Sequence, residues 1–142
     1  MYYEEIELGK VIEIPPTIID EQDMLDFAKK YDNIPLHTDQ EYCKTTRFGS
    51  IIAPGVMAFM AVWANYLTVD ISREQLIAGK STFMEWHKPV YPNDILYSKA
   101  EVTNKTKTGK RSGTVELTIS IKNQKDELVM TNVTNMVVHC KE

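Results

Sequence analysis

Residues 31–39 read Tyr-Asp-Asn-Ile-Pro-Leu-His-Thr-Asp. Asp32 and His37 stand five positions apart, a spacing that suits a helix face badly, and Pro35 between them favours a loop. A tight loop can turn both side chains to one point. A carboxylate and an imidazole placed that way can hold and polarise a water molecule, because imidazole exchanges protons near neutral pH and a nearby carboxylate tunes it. The same residues also have a plain structural use, with Asp32 capping loop backbone and His37 completing a loop hydrogen bond. The second group is Ala53-Pro54-Gly55-Val56. Proline suits a first helical turn, and glycine lets another group come close to the backbone. Unpaired amides and the positive dipole end at such a helix start suit a carbonyl oxygen that gains negative charge. The alternative is a Pro-Gly helix entry with no further role.

These residues need elements that hold them. Val11, Ile12 and Ile14 form a β-prone run that Pro15 and Pro16 are expected to end. Asp20 reads as an N-cap, with Glu21 and Asp23 in the first turn and Met24, Phe27, Ala28 and Tyr31 on one apolar helix face. That helix ends before Asp32. Residues 39–45 suit a short capped turn, and Gly49-Ser50 opens a loop towards Gly55. Residues 56–67, VMAFMAVWANYL, are apolar nearly all round, which predicts a central helix buried on nearly every side.

The pattern changes near Lys80, and segments 81–91, 94–106, 113–123 and 127–139 read as strands. In the third, Val115, Leu117, Ile119 and Ile121 alternate with Glu116, Thr118, Ser120 and Lys122. Turn chemistry at 92–94, 108–109 and 123–126 keeps the joints short, which favours antiparallel pairing. The fold class is therefore α+β: a curved antiparallel sheet around one apolar helix, as a single domain over residues 1–142.

At 142 residues, with 43% hydrophobic and 25% charged, the chain can bury a core without disulfides or metal. A net charge of −4 argues against nucleic acid or an anionic membrane as partner. No stretch approaches a membrane span, and the acidic start MYYEEIELGK lacks secretory character, so a cytoplasmic location is expected. Cys43 and Cys140 read as reduced thiols, and His37, His87 and His139 are too scattered for a metal site. His87 and His139 fall in strand patterns where packing or a cross-strand hydrogen bond is the expected role. No phosphate-binding, dinucleotide or GxSxG signature occurs, and no metal or redox cofactor is expected.

Taken in order, Phe27-Ala28, Asp32-Asn33-Ile34-Pro35-Leu36-His37, Phe48-Gly49, Ile52-Ala53-Pro54-Gly55-Val56-Met57 and the run from Trp86 to Asp94 resemble the MaoC-like hydratases. That group has the hotdog fold and includes (R)-specific enoyl-CoA hydratases. The resemblance implies a hydratase or dehydratase in which Asp32 and His37 hold the water that adds to a 2-enoyl thioester. The Gly55 amide would polarise the thioester oxygen, and Asn33, Pro54 and Val56 would border the substrate. Coenzyme A or phosphopantetheine would enter as the substrate's carrier, and a homodimer or higher homo-oligomer is implied. Ile34 replaces the family's asparagine before the proline, and Pro54 replaces its histidine before the glycine. Arg47 and the cluster Lys105, Lys107, Lys110 and Arg111 are candidates for substrate phosphates, though a solvated turn is the favoured reading of the cluster. Trp63 and Tyr66 are expected to limit pocket depth. An acyl-CoA thioesterase and a non-catalytic acyl-thioester-binding module are the alternative activities, separable by thiol release against loss of enoyl absorbance.

Overall fold

Alternation is the rule that builds the sheet. In the computed structural model, which describes residues 1–142, Val115, Leu117, Ile119 and Ile121 are all fully buried along one strand while the residues between them face outward. Five strands form one antiparallel sheet: β1 (Val11–Ile18), β2 (Leu76–Trp86), β3 (Ile95–Lys107), β4 (Ser112–Lys122) and β5 (Leu128–His139). Their spatial order is β1-β3-β4-β5-β2, so β1 and β2 are the free edges. The helices are α1 (Glu21–Tyr31), the single-turn α2 (Pro35–Thr38) and α3 (Gln40–Cys43), and the central α4 (Gly55–Tyr66). This is the α+β arrangement expected from the sequence.

Met57, Ala58, Phe59, Val62 and Tyr66 of α4 join Ile12 and Ile14 of β1, the inward residues of β3 and β4, and Met130, Met136 and Val138 of β5 in one continuous core. Asn65, the plainly polar residue of α4, donates to Thr17 Oγ1 at 2.8 Å and so ties the helix to β1. At the end of α4 the buried Tyr66 hydroxyl donates to Asp70 Oδ1 at 3.0 Å. Asp70 also accepts from the Ser72 and Arg73 amides, which fixes the turn into β2. Arg73 sits there at φ 46°, a left-handed conformation that the carboxylate's hydrogen bonds stabilise.

Three expectations need correction. β1 does not stop at Pro15. It continues to Ile18 through an irregularity between Ile14 and Thr17, because on an edge strand a proline can turn its missing N–H away from the ladder. The strand expected at 81–91 instead spans Leu76–Trp86, pairing from Leu76↔Val138 to Trp86↔Met130. Finally, α4 is not covered on all sides within the chain. Val56, Met60 and Leu67 are exposed, beside a β2 that is itself almost wholly exposed.

Candidate active site

The amphipathic α1 delivers the first functional residue. Its last turn closes when the Asp32 amide donates to the Ala28 carbonyl at 2.9 Å, leaving Asp32 as the C-cap. Ile34 is extended, as a residue before proline should be, and the chain then turns into α2 with Pro35 as its first residue. His37 therefore lies on a single helical turn rather than on the loop the sequence suggested. The intervening bend is held by the Ile34 amide donating to the Asp32 carbonyl and by Thr38 Oγ1 donating to the Ile34 carbonyl, both at 3.0 Å. Cys43 Sγ also donates to the Leu36 carbonyl at 3.2 Å, so α3 braces α2.

The two side chains converge. His37 Nε2 lies 3.2 Å from Asp32 Oδ2, with the imidazole 7% exposed and the carboxylate open to solvent. His37 Nδ1 lies 2.8 Å from the Ile52 carbonyl oxygen, which can only accept, so Nδ1 carries a hydrogen and donates it. Nε2 is consequently the ring nitrogen that faces the carboxylate and the cavity.

The same segment, 51–54, brings in α4. The Ile52 amide donates to the Leu36 carbonyl at 3.3 Å and the Ala53 amide to the Val90 carbonyl at 2.7 Å, so the approach to α4 is strapped between α2 and the chain leaving β2. Pro54 is the buried N-cap, and the first bond of the helix runs from the Ala58 amide to the Pro54 carbonyl. The amides of Gly55, Val56 and Met57 have no acceptor in the chain and point out of the positive helix end. A cavity of about 460 Å³ opens there, and Asp32, His37, Gly55, Val56, Trp86 and Lys88 contribute to its lining. Gly55 and the indole approach closely: a Cβ at 55 would lie 2.3 Å from Trp86 Nε1, so a larger residue fits there only if the ring moves.

Of the residues singled out in the sequence, Asp32, His37, Gly55 and Val56 meet in this cavity. Pro54 lies buried behind it as the cap. Asn33 is exposed, makes no hydrogen bond and stays outside the lining. Arg47 is exposed next to Phe48, which does line the cavity.

The basic cluster is not brought to the site within the chain. Trp86 pairs with Met130, whereas Lys107 pairs with Gly113, and Gly113 with Val138 at the far end of β5, about 25 Å away along the strand. There Lys105 stacks on the Tyr3 ring and Arg111 pairs with Glu142, so register separates this turn from the cavity. Tyr66 and Trp63 do not floor the cavity either, because both lie towards the other end of α4. Tyr66 is fully buried on Asp70, and Trp63 borders a separate groove between α4 and β2.

His87 makes the cross-strand contact expected of it, its Nε2 lying 3.0 Å from Thr131 Oγ1, and it also lines the cavity. Trp86 and Lys88, the latter ion-paired with Glu127, fall in the family-like run 86–94 but were not singled out as site residues in the sequence. Their position depends on β2 lying beside the start of α4, which no local pattern encodes. No group of three or more His, Cys, Asp or Glu side chains gathers to hold a metal ion, and no helix is long and apolar enough to cross a membrane.

The MaoC like domain family matches residues 5–125 of the chain. The chain is 27% identical to the uncharacterized protein YdeM of Bacillus subtilis over 139 residues, 97% of this chain and 99% of that one. Among solved structures it is similar to the monoamine oxidase regulatory protein of Archaeoglobus fulgidus, with a TM-score of 0.94 and 31% identity, covering 100% of this chain and 96% of that one. It is also similar to the (R)-hydratase PhaJ1 of Pseudomonas aeruginosa, with a TM-score of 0.76 and 25% identity, covering 99% and 86%.

Proposed function

The chain belongs to the MaoC-like domain family, a family of hydratases and dehydratases, and from that premise we propose that it reversibly adds water to a trans-2-enoyl thioester to give the (R)-3-hydroxyacyl thioester. One observation carries this reading: the Asp32–His37 pair, 3.2 Å apart, shares a cavity with the unpartnered amides that open α4.

The thioester carbonyl accepts from the Gly55 amide, so the enolate-like charge of the transition state forms beside a donor and a positive dipole end. The pair holds a water against C3. As the water's oxygen bonds to C3, its proton passes to the pair, and the proton already held there is returned to C2. Each turnover then ends with the pair holding one proton, as it began. The balance is one hydroxyl to C3 and one hydrogen to C2. The hydrogen bond from His37 Nδ1 to Ile52 fixes the ring that must do this.

The carrier end of the substrate, coenzyme A or phosphopantetheine, would leave through the open side of the cavity past Lys88 and Arg47, and no metal or redox group is needed by this chemistry. The working form we propose is a homodimer. Its support is the free edge of β2, with Ile77 and Phe83 exposed, next to the uncovered Val56 and Met60 of α4. A panel of enoyl thioesters of graded length tests the activity: loss of enoyl absorbance without thiol release supports hydration, and thiol release in its place overturns it.

A further inference from the structure

We propose that the indole N–H of Trp86 is a second hydrogen-bond donor to the substrate's thioester oxygen, acting together with the Gly55 amide. The proposal rests on the reading of this cavity as an acyl-thioester site.

Trp86 is the last residue of β2, two positions after Met84. Alternation puts both on the face of the sheet that carries α4, and Met84 packs there against the core. The indole consequently lies across the start of the helix. Its Nε1 is 2.3 Å from where a Gly55 Cβ would stand, and Cε2 is 2.4 Å from the same point. A Cβ stands about 2.5 Å from its own backbone nitrogen. Nε1 is therefore no more than about 5 Å from the Gly55 nitrogen. One oxygen accepting from both at about 2.9 Å can bridge donors that far apart.

Both donors are free. Neither the Gly55 amide nor the Trp86 indole has an acceptor within the chain. Indole nitrogen donates and cannot accept, so it suits an oxygen that gains negative charge and contributes nothing to proton transfer. Trp86 lines the cavity and is 51% exposed, so its indole N–H is open to a bound group. A thioester seated against it satisfies the N–H and covers the ring together.

Trp86→Phe tests this, since it keeps a ring against Gly55 and deletes the donor. The expected result is a fall in kcat of about a hundredfold with KM little changed, because the bond is strongest when the oxygen carries charge. Wild-type kcat in Trp86→Phe overturns the proposal. A second measurement does not depend on turnover. The chain has two tryptophans, so its ¹⁵N-labelled indole spectrum holds two N–H signals, and Trp86→Phe assigns them. Saturating butyryl-CoA, which has no double bond to hydrate, should move the Trp86 indole proton downfield, and free coenzyme A should not. A Trp86 signal that butyryl-CoA leaves in place also overturns the proposal. If that signal moves while wild-type protein hydrates no enoyl thioester, the donor stands and the hydratase reading falls.

Discussion

Asp32 and His37 do different work although their side chains meet at one point. His37 is buried and pinned through Nδ1, so its ring can present only Nε2, whereas Asp32 has a carboxylate open to the cavity. An amide at position 32 could still meet Nε2 as a donor, which preserves the local geometry, but it could not accept the proton of water. Asp32→Asn is therefore expected to lower hydration by about 10²–10⁴-fold, with an unchanged thermal melt showing that the fold is intact. Gly55 presents the converse case, a residue defined by what it lacks. In Gly55→Ala the new Cβ would meet Trp86 Nε1 at 2.3 Å, and the half-exposed indole can swing outward to relieve the clash. The stability change should stay within about 1 kcal/mol, since alanine also favours the helix. Activity should fall because the displaced ring no longer shapes the cavity. A melt and an enoyl-absorbance assay on the same preparation check both halves.

Elements differ in how much of them a sequence can reveal. The amphipathic face of α1 and the alternation of β4 are local, so Met24 with Ala28, and Val115 through Ile121, could be placed from spacing alone. The N-cap at Asp20 is equally local, its side chain accepting from the Asp23 amide at 3.0 Å. The limits of β2 are not local. Gly79 and Lys80 look like a joint, yet β5 supplies partners on both sides of them, and the long pairing with β5 carries the strand through a register shift. The Asp32–His37 pair was legible as two residue types near a proline, whereas Trp86 and Lys88 reach the cavity only because one edge strand ends beside a helix start. The far end of α4 yields a pH prediction. Burial, with Asp70 beside it, pushes the Tyr66 hydroxyl well above the ordinary tyrosine range near 10. Its contribution is intact below pH 10 and declines as pH rises above it, because the unfolded chain then releases a proton that the folded chain keeps. Each unit above pH 10 should cost about 1.4 kcal/mol from this residue. Urea unfolding at pH 9 and pH 11 should show the wild type losing about 1 kcal/mol more than Tyr66→Phe between the two conditions.

At the scale of the whole molecule, the chain leaves one side of itself unfinished. The core is closed under β1, β3, β4 and β5, but β2 is exposed on both faces and presents an unpaired edge. Isolated soluble domains protect such edges with charge, bulges or a covering element, and although β2 carries Lys80, Glu85 and two register shifts, Ile77, Phe83 and Trp86 remain exposed on it. The uncovered stripe of α4 lies beside it, so a second copy pairing along β2 would cover strand and helix together. Such pairing would also account for residues 56–67 reading as a helix buried all round, since a single chain buries only part of it. Met60, 49% exposed on that stripe, separates the two levels. Met60→Glu costs the isolated chain little, because the carboxylate can remain in water, but in a dimer it would have to be desolvated. The wild type should sediment as a dimer at micromolar concentration. Met60→Glu should weaken that dimer by at least about a hundredfold, since a buried unpaired charge costs several kcal/mol. Its far-ultraviolet circular dichroism should remain that of the folded chain. A wild-type monomer at micromolar concentration, or a Met60→Glu variant that sediments as the wild type does, would place the interface elsewhere and leave the exposed β2 edge without a partner.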